Sequence, residues 1–305
     1  MTVEVVVFAI ALAVVSLVVD RTLRFDALGW LRWGREVTGL DAGAFDTTVL
    51  PSWKPLPLLV TAPLAPLGPD TAQLLWLAIV RSAALVSLVV LWRAAGWVAA
   101  LALAITPAWW TTTLGGGIEP LVVLLGIGAV AADQTGRRRT AIVLLALMAL
   151  GREEALALLA LYGVIRRRPE ALLAAALVMA AWLGGDWVGS GDPFHGGELA
   201  RAAGIADANS GNHNAPTGLA LVALLVIAPQ LIALAFHGAI DAYKNGDRLL
   251  PSLMAAALIW TALDVSLRAI GYPLPPRFLL PAAAAAAPAA AVGARALTRR
   301  RQRAT

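Results

Sequence analysis

Residues Thr71 to Trp92 read TAQLLWLAIVRSAALVSLVVLW, an apolar run of 22 residues with one charged side chain, Arg81. About 20 such residues in a helix span the hydrocarbon core of a bilayer. Because a backbone in lipid has to satisfy its own hydrogen bonds, the run is predicted to be helical. The rest of the chain is similar, since 59% of its 305 residues are hydrophobic, 14% are charged and the mean hydropathy is +0.76. In soluble domains about a quarter of the residues are charged, so the composition predicts an integral membrane protein.

Nine further apolar runs predict, with the first, a bundle of about ten transmembrane helices. They are Val3–Val19, Trp97–Thr112, Glu119–Ala132, Thr140–Gly151, Glu154–Ile165, Glu170–Trp187, Pro216–Phe236, Leu250–Ala269 and Phe278–Ala294. The predicted fold class is therefore an all-α polytopic membrane protein, with residues 1–305 forming a single transmembrane domain. Each boundary is expected to shift by a few residues.

Basic residues orient these helices, because cytoplasmic loops of membrane proteins are enriched in Lys and Arg. Four basic stretches lie between or after the apolar runs: Arg137–Arg139, Arg166–Arg168, the loop with Lys244 and Arg248, and the tail 295–305. With ten crossings, these stretches and both termini fall on one side. The sequence thus predicts a multi-pass plasma-membrane protein with cytoplasmic termini. This distribution also explains the net charge of +5 without a nucleic-acid partner.

The segment between the two Arg triplets is short. Thr140 to Ile165 provides only 26 residues, whereas two full crossings need about 40. A single long crossing would reverse the orientation of every later helix. The favoured interpretation is a short helical hairpin whose turn, Gly151–Glu154, stops below the outer surface. Its charges then require a hydrated cavity, and a buried ion-paired turn without a ligand is the alternative.

Two long loops are predicted on the outer, extracytoplasmic side, at residues 20–70 and 186–215. The first contains an amphipathic helix from Asp26 to Thr38, which carries Trp30 and Trp33 and is expected at the membrane interface. A second short helix is expected from Pro55 to Leu67. No segment outside the membrane is long enough to form a separate domain.

Missing motifs restrict the chemistry. The chain has no cysteine, which excludes disulfides and thiolate metal sites. It also lacks a glycine-rich phosphate loop, HExxH and GxSxG. Catalysis is therefore expected at the outer face, on an activated donor embedded in the bilayer. The predicted topology gathers the outer ionisable residues on this side, where carboxylates act as bases and cations hold phosphate.

One part of the first outer loop resembles a known family. The stretch from Asp26 to Arg35 and Glu36 is similar to the first periplasmic loop of GT-C glycosyltransferases, where an acidic residue precedes an Arg-Glu pair by nine and ten residues. The closest resemblance is to protein O-mannosyltransferases and lipid A aminoarabinose transferases. Trp53-Lys54-Pro55 stands where those enzymes have a Lys-Pro-Pro-Leu element.

Later motifs follow in the same order. Gly117-Ile-Glu119 resembles the second outer loop of the family, which also has an acidic residue. Gly151-Arg152-Glu153-Glu154 resembles an Arg-Pro-Glu-Ala element, with Glu153 in place of the proline. Ser190-Gly-Asp192 and Pro276-Arg277-Phe278 resemble Thr-Gly-Asp-Pro and Arg-Tyr-Leu-Leu-Pro elements. The resemblance covers residues 3–281.

The resemblance implies a GT-C-like bundle and transfer of a mannose- or arabinose-type sugar from a polyprenyl-phosphate donor, with inversion. Asp26 would be the general base and Glu119 would orient the acceptor. Lys54, Arg152 and Arg277 would hold the donor phosphate. The supporting residues would be Arg35, Glu36, Trp53, Glu154 and Asp192. The sequence requires no cofactor. Whether Asp26 and Glu119 bind a divalent cation is left open, and so is the identity of the acceptor, which could be a glycan, a lipid or a protein.

Simpler interpretations stay open for several of these residues. Asp26 is also a good N-cap for the helix that it begins. Lys54 could extend to lipid headgroups. Trp53 is expected in an aromatic belt together with Trp30, Trp33, Trp109 and Trp110, or stacked on a sugar. Arg81 could face a cavity, or pair with Glu119 or a backbone carbonyl.

Two other functional classes remain. A transporter or flippase of a lipid-linked precursor would also need cations for a headgroup, but its charges should line a path near the membrane midplane. A family member without activity could act as a scaffold. Replacement of Asp26 separates these classes, because it should stop an enzyme and leave a flippase almost unchanged.

Overall fold

Helices account for all regular secondary structure in the part of the chain that the structure describes. The computed structural model describes residues 3–41, 43–49, 51–209 and 228–304, which form fourteen α-helices and no β-strand. The helices are α1 Val3–Ser16, α2 Phe25–Val37, α3 Pro55–Leu64, α4 Pro69–Ala95, α5 Trp97–Ala104, α6 Pro107–Leu114, α7 Glu119–Gln134, α8 Arg138–Gly151, α9 Glu154–Ile165, α10 Pro169–Ser190, α11 His195–Asn209, α12 Ala228–Lys244, α13 Leu249–Ala269 and α14 Leu280–Ala304. Short 3₁₀ turns at Ala65–Leu67 and Pro276–Leu279 follow α3 and precede α14.

Four helices of the described ranges are long and apolar enough to cross a membrane. They are α4, α10, α13 and the segment Pro276–Arg299, which contains most of α14. Large apolar side chains also remain at the surface, and Val19, three residues after the end of α1, is 88% exposed. These features agree with the predicted all-α membrane protein, although four or five spans, rather than ten, meet the criterion of length and composition.

The predicted helix Trp97–Thr112 is two helices in the structure. The segments Trp97–Ala104 and Ala108–Leu114 meet at an angle of 72°. Pro107 explains the break, because a proline lacks the N–H that a continuous helix needs and disfavours the helical conformation of the residue before it. Thr106 accordingly adopts an extended backbone with φ −73° and ψ 115°.

The predicted helix Pro216–Phe236 is described only in part. Residues 216–227 lie outside the described residues, and α12 begins at Ala228. The C-terminal part of the predicted loop 186–215 is also outside them. Its described part contains the end of α10 and the whole of α11.

The short segment between the Arg triplets forms the predicted helical hairpin. α8 has 14 residues and α9 has 12, which correspond to lengths of about 21 Å and 18 Å. Both are shorter than the hydrocarbon core of about 30 Å. The turn between them consists of Arg152 and Glu153, and the Arg152 side chain is buried.

The first loop folds onto the bundle. α2 packs on α3 at Gly34, where an added Cβ would lie 2.8 Å from the Thr61 carbonyl oxygen. Trp30 of α2 meets Trp76 of α4 in an edge-to-face contact with ring centroids 5.7 Å apart. The aromatic-belt prediction is therefore wrong for Trp30, Trp33, Trp53 and Trp109, whose side chains are all buried.

Acidic and basic groups occupy opposite ends of α7 and α9. Glu119 and Glu154 begin these helices, whereas Arg137–Arg139 and Arg166–Arg168 follow their ends. An ion pair between Arg166 and Asp133 joins the two basic turns. The protein thus has one end rich in exposed arginines and another end where buried carboxylates gather.

Candidate functional site

Five structural elements bring ionisable side chains together at the end of the bundle opposite the Arg triplets. We call this group the charged cluster; it consists of Asp26, Glu119, Arg152, Glu154, Asp264 and Arg277. Its members come from the first turn of α2, the start of α7, the α8–α9 turn and the start of α9, the C-terminal half of α13, and the 3₁₀ turn before α14. Of the predicted catalytic and phosphate-binding residues, all but Lys54 belong to it.

Glycines place Asp26 beside Glu119. The Arg24 N–H donates to the Gly115 carbonyl at 2.9 Å, which ties the start of α2 to the segment before α7. At Gly117 an added Cβ would lie 2.9 Å from Glu119 Oε2 and 2.4 Å from Thr112 Cγ2. A side chain at position 117 would have to displace these atoms, so the small size of glycine leaves room for the Glu119 carboxylate.

Arg277 joins Asp26 to Glu119. Its Nη2 donates to Asp26 Oδ2 at 2.6 Å, a contact between residues 251 positions apart in the chain. Its Nε lies 3.8 Å from Glu119 Oε1. The carboxylate of Asp26 is therefore engaged by a cation and does not cap α2, whose N-cap is Arg24. The capping interpretation of Asp26 is wrong.

Arg152 occupies the deeper part of the charged cluster. Its guanidinium donates to both oxygens of Glu154, at 3.1 Å from Nε to Oε2 and closer from Nη2 to Oε1. Glu119 Oε1 and Asp264 Oδ1 each lie 3.9 Å from it. The guanidinium also stacks 3.6 Å from the Phe278 ring centroid. Such a planar cation is suited to a dry site with several carboxylates, and its side chain is only 1% exposed.

Two features make the charged cluster suitable for a ligand. First, Glu119 Oε2 and Arg277 Nε are buried and have no hydrogen-bond partner, which is rare for polar atoms in folded proteins. Second, the cluster contains four carboxyl groups and two guanidinium groups. Some hydrogen-bonding and charged groups of the cluster therefore remain for a ligand after the internal ion pairs have formed.

Lys54 lies beside the charged cluster on the segment before α3. Its Nζ is 3.7 Å from Glu153 Oε2 and 5.3 Å from the Trp182 ring centroid. The Lys54 side chain is 11% exposed and the Glu153 side chain is 45% exposed. Lys54 is thus held against α10 and the α8–α9 turn, and does not extend away from the protein.

Trp53 holds this segment in place. Its indole contacts Trp33 and Phe45, with centroid distances of 5.8 Å and 5.2 Å. Gly185 of α10 faces the same ring, and an added Cβ there would lie 2.2 Å from Trp53. Because the indole is enclosed in this way, the stacking of Trp53 on a sugar is not supported, and its role is to position Lys54.

Replacement of Gly185 tests the packing of Trp53 that this role requires. Gly185→Ala is expected to displace Trp53 and with it Lys54, because the methyl group overlaps the ring and overpacking of a core costs about 1–3 kcal/mol. The neighbouring Gly184 is a matched control, since an added Cβ there meets nothing within 4 Å. Thermal unfolding in detergent should show a lower midpoint for Gly185→Ala and an unchanged or higher one for Gly184→Ala. Equal midpoints would contradict the proposed contact.

Three further predicted supporting residues lie, like Trp53, outside the charged cluster. Arg35 donates to Asp41 at 2.8 Å, and this hydrogen bond lowers the pKa of the Asp41 carboxyl. Glu36 accepts from Arg32 Nε at 2.5 Å. Asp192 accepts the Phe194 N–H at 2.9 Å. These contacts lie within or next to the segments 20–70 and 186–215 and give the three residues a structural role.

Arg81 pairs with a backbone carbonyl, which is one of the predicted alternatives. Its Nη2 donates to the Leu114 carbonyl at 2.9 Å and its Nη1 donates to Ser16 Oγ at 3.0 Å. It therefore connects α4 with α1 and with the end of α6. It does not pair with Glu119.

The positions of Asp26 and Glu119 decide whether the two carboxylates could hold a divalent cation together. Both carboxylates face the Arg277 guanidinium, which occupies the space between them. Among the described residues, no group of three or more His, Asp or Glu side chains is arranged to hold a metal ion. We therefore assign no step to a metal.

Asp264 is a member of the charged cluster that the sequence motifs did not indicate. It is the single acidic residue of α13, Leu249–Ala269, a helix apolar enough to cross a membrane. An ionisable residue in such a helix usually faces the protein interior and marks a functional site. That signal alone would have been sufficient to select Asp264.

Searches against protein-family models, curated proteins and solved structures find no match for this chain. Function is therefore inferred from the charged cluster, from the order of the motifs along the chain and from the apolar helices.

Proposed function

We propose that the protein is a membrane glycosyltransferase with a GT-C-like bundle of about ten transmembrane helices. It transfers a mannose- or arabinose-type sugar from a polyprenyl-phosphate donor to an extracytoplasmic glycan, lipid or protein acceptor. The observation that carries the proposal is the contact of Arg277 with both Asp26 and Glu119. These three residues come from three separate motifs of the family resemblance, and they meet at one end of the bundle.

The charge distribution supports the proposed orientation. The exposed arginines follow α7 and α9 at the end opposite the charged cluster. Under the positive-inside rule that end is cytoplasmic, so the charged cluster faces the extracytoplasmic side. Donors linked to a polyprenyl carrier are presented in the membrane, which fits a protein without a recognisable nucleotide-binding motif.

The proposed reaction is a single displacement at the anomeric carbon. Asp26 accepts the proton of the acceptor hydroxyl as the oxygen attacks the sugar. The bond between the anomeric carbon and the phosphate oxygen breaks, and its electron pair leaves with the polyprenyl phosphate. Because attack and departure occur on opposite faces, the configuration inverts. Glu119, whose side chain is 4% exposed, orients the acceptor indirectly, through the Arg277 guanidinium 3.8 Å from its Oε1.

Cations stabilise the charge that collects on the leaving phosphate. Arg277 and Lys54 are suited to direct contact, since both side chains are partly exposed, at 21% and 11%. Arg152 is enclosed by carboxylates and the Phe278 ring. It is therefore assigned an indirect role, in which it fixes Glu119 and Glu154.

The test is sugar transfer by the purified protein in lipid. The protein is incubated with a panel of radiolabelled polyprenyl-phosphate sugars and a cell-envelope extract. Consumption of one donor, with release of polyprenyl phosphate and label in the extract, is expected. If the folded protein binds polyprenyl phosphate and consumes no donor, the transferase proposal is wrong, and flipping of the same lipids across vesicles becomes the next measurement.

A further inference from the structure

The two arginines of the charged cluster differ in accessibility. Arg152 and its partner Glu154 have side chains that are 1% and 2% exposed. Arg277 and its partner Asp26 have side chains that are 21% and 25% exposed. A ligand that approaches from outside can therefore reach the second ion pair, whereas the first is closed to it.

We propose that Asp26 and the phosphate of a lipid-linked ligand compete for Arg277, so that binding of the phosphate releases the Asp26 carboxylate from its ion pair. The proposal deepens the proposed function and rests on it for the identity of the ligand. It assigns Arg277 a second task, because the same guanidinium that receives the phosphate also keeps the base engaged while no donor is bound.

The contacts of Arg277 give the physical reason. Its Nη2 is directed at Asp26 Oδ2, and the only other carboxylate paired with it in the described part of the chain is Glu119, at 3.8 Å. A phosphate that takes this cation would stand next to the Asp26 carboxylate. Like charges placed next to each other repel at a partly desolvated site. Repulsion between the phosphate and the carboxylate therefore favours loss of the ion pair with Asp26 as the phosphate binds.

Competition has a consequence that is opposite to the usual effect of removing a site residue. Asp26→Asn keeps the size of the side chain and removes its charge, so the phosphate no longer has to displace a carboxylate. The variant is expected to bind a polyprenyl phosphate about tenfold more tightly than the wild type. Arg277→Gln is expected to weaken binding at least tenfold, because a charge-assisted hydrogen bond is lost.

The double variant distinguishes competition from a general change in charge. In the Arg277→Gln background, Asp26→Asn should give no gain in affinity, since no cation remains to be contested. Asp70→Asn is the matched control: it removes an equal charge from the exposed first turn of α4, and should change the affinity less than twofold.

The experiment is titration of polyprenyl monophosphate against each variant in nanodiscs. Unphosphorylated polyprenol and inorganic phosphate serve as competitors, which separates recognition of a lipid headgroup from that of free phosphate. Thermal unfolding of each variant verifies that it is folded. A gain for Asp26→Asn that disappears in the double variant supports the proposal. An unchanged or weaker affinity for Asp26→Asn, or no binding to any folded variant, overturns it.

The affinities of the variants test the competition separately from the transferase proposal. If the predicted pattern of affinities is observed and no sugar donor is consumed, Arg277 is a lipid-phosphate site and the proposed transfer reaction fails. If a donor is consumed and Asp26→Asn gives no gain in affinity, the transfer reaction stands and the competition is wrong.

Discussion

Asp26→Asn is expected to lower the rate of sugar transfer by about 10²–10⁴-fold, the range that a positioned general base contributes. The amide cannot accept the proton of the acceptor hydroxyl at neutral pH. It still occupies the same volume next to Arg277, which Asp26 contacts at 2.6 Å. The fold should therefore persist, and turnover should fall although donor binding does not weaken.

Single-turnover measurements at saturating donor check this expectation. Asp41→Asn is the control, because Asp41 lies in the same loop, pairs with Arg35 and stands outside the charged cluster. It should retain transfer within a factor of a few. If Asp26→Asn keeps the wild-type rate with both donor and acceptor bound, Asp26 is not the base, and Glu119 is the next carboxylate to replace.

Arg152→Met is expected to reduce the free energy of unfolding by about 3–5 kcal/mol, the range for removal of one partner of a buried ion pair. The change leaves Glu154, Glu119 and Asp264 without the cation that they share. Methionine replaces much of the volume, so the effect would come from uncompensated charge. Destabilisation of this size amounts to a large part of the stability of a typical domain.

An ion pair at the surface provides the matched comparison. Arg166 pairs with Asp133 at the opposite end of the bundle, and the Arg166 side chain is 47% exposed. Arg166→Met should cost less than about 1 kcal/mol, as is usual for exposed pairs. Unfolding of both variants in the same detergent gives the difference. Adding Glu154→Gln to Arg152→Met should restore part of the stability, and equal losses for the two single variants would contradict the burial of Arg152.

The helices of this protein could largely be predicted from its sequence, because long apolar runs leave few alternatives. α9 and α13 begin and end within one residue of the predicted bounds. The bend at Thr106 was not predicted, although Pro107 was visible, because Pro107 sits inside an otherwise apolar run and many membrane helices tolerate a proline.

The charged cluster could be predicted only in outline. Motifs at helix ends indicated that Asp26, Glu119 and Arg277 lie on one side, but the pairing of Asp26 with Arg277 depends on how the 3₁₀ turn before α14 meets α2. Such a contact across 251 residues has no local signal. The predicted supporting roles of Arg35, Glu36 and Asp192 fail for a different reason, because these residues pair with groups near them in the sequence and lie outside the charged cluster.

The tryptophans show another limit of prediction from the sequence. Their number and positions suggested an interface with lipid, because Trp is enriched at that depth. The same rings also fill the space between the first loop and α4, and Trp76 donates to the Gly116 carbonyl at 2.8 Å. Composition alone does not distinguish these two uses of a large ring with one N–H group.

The short hairpin of α8 and α9 has a consequence for the surrounding lipid. Helices of 14 and 12 residues fall about 10 Å short of the hydrocarbon thickness. A bilayer adapts to such a mismatch by thinning locally. In the proposed orientation, lipid headgroups beside the hairpin would sink toward the α8–α9 turn, and a carrier phosphate would meet Lys54 below the general plane of the membrane surface. Transfer would then depend on membrane thickness, and lipids with shorter acyl chains should favour it.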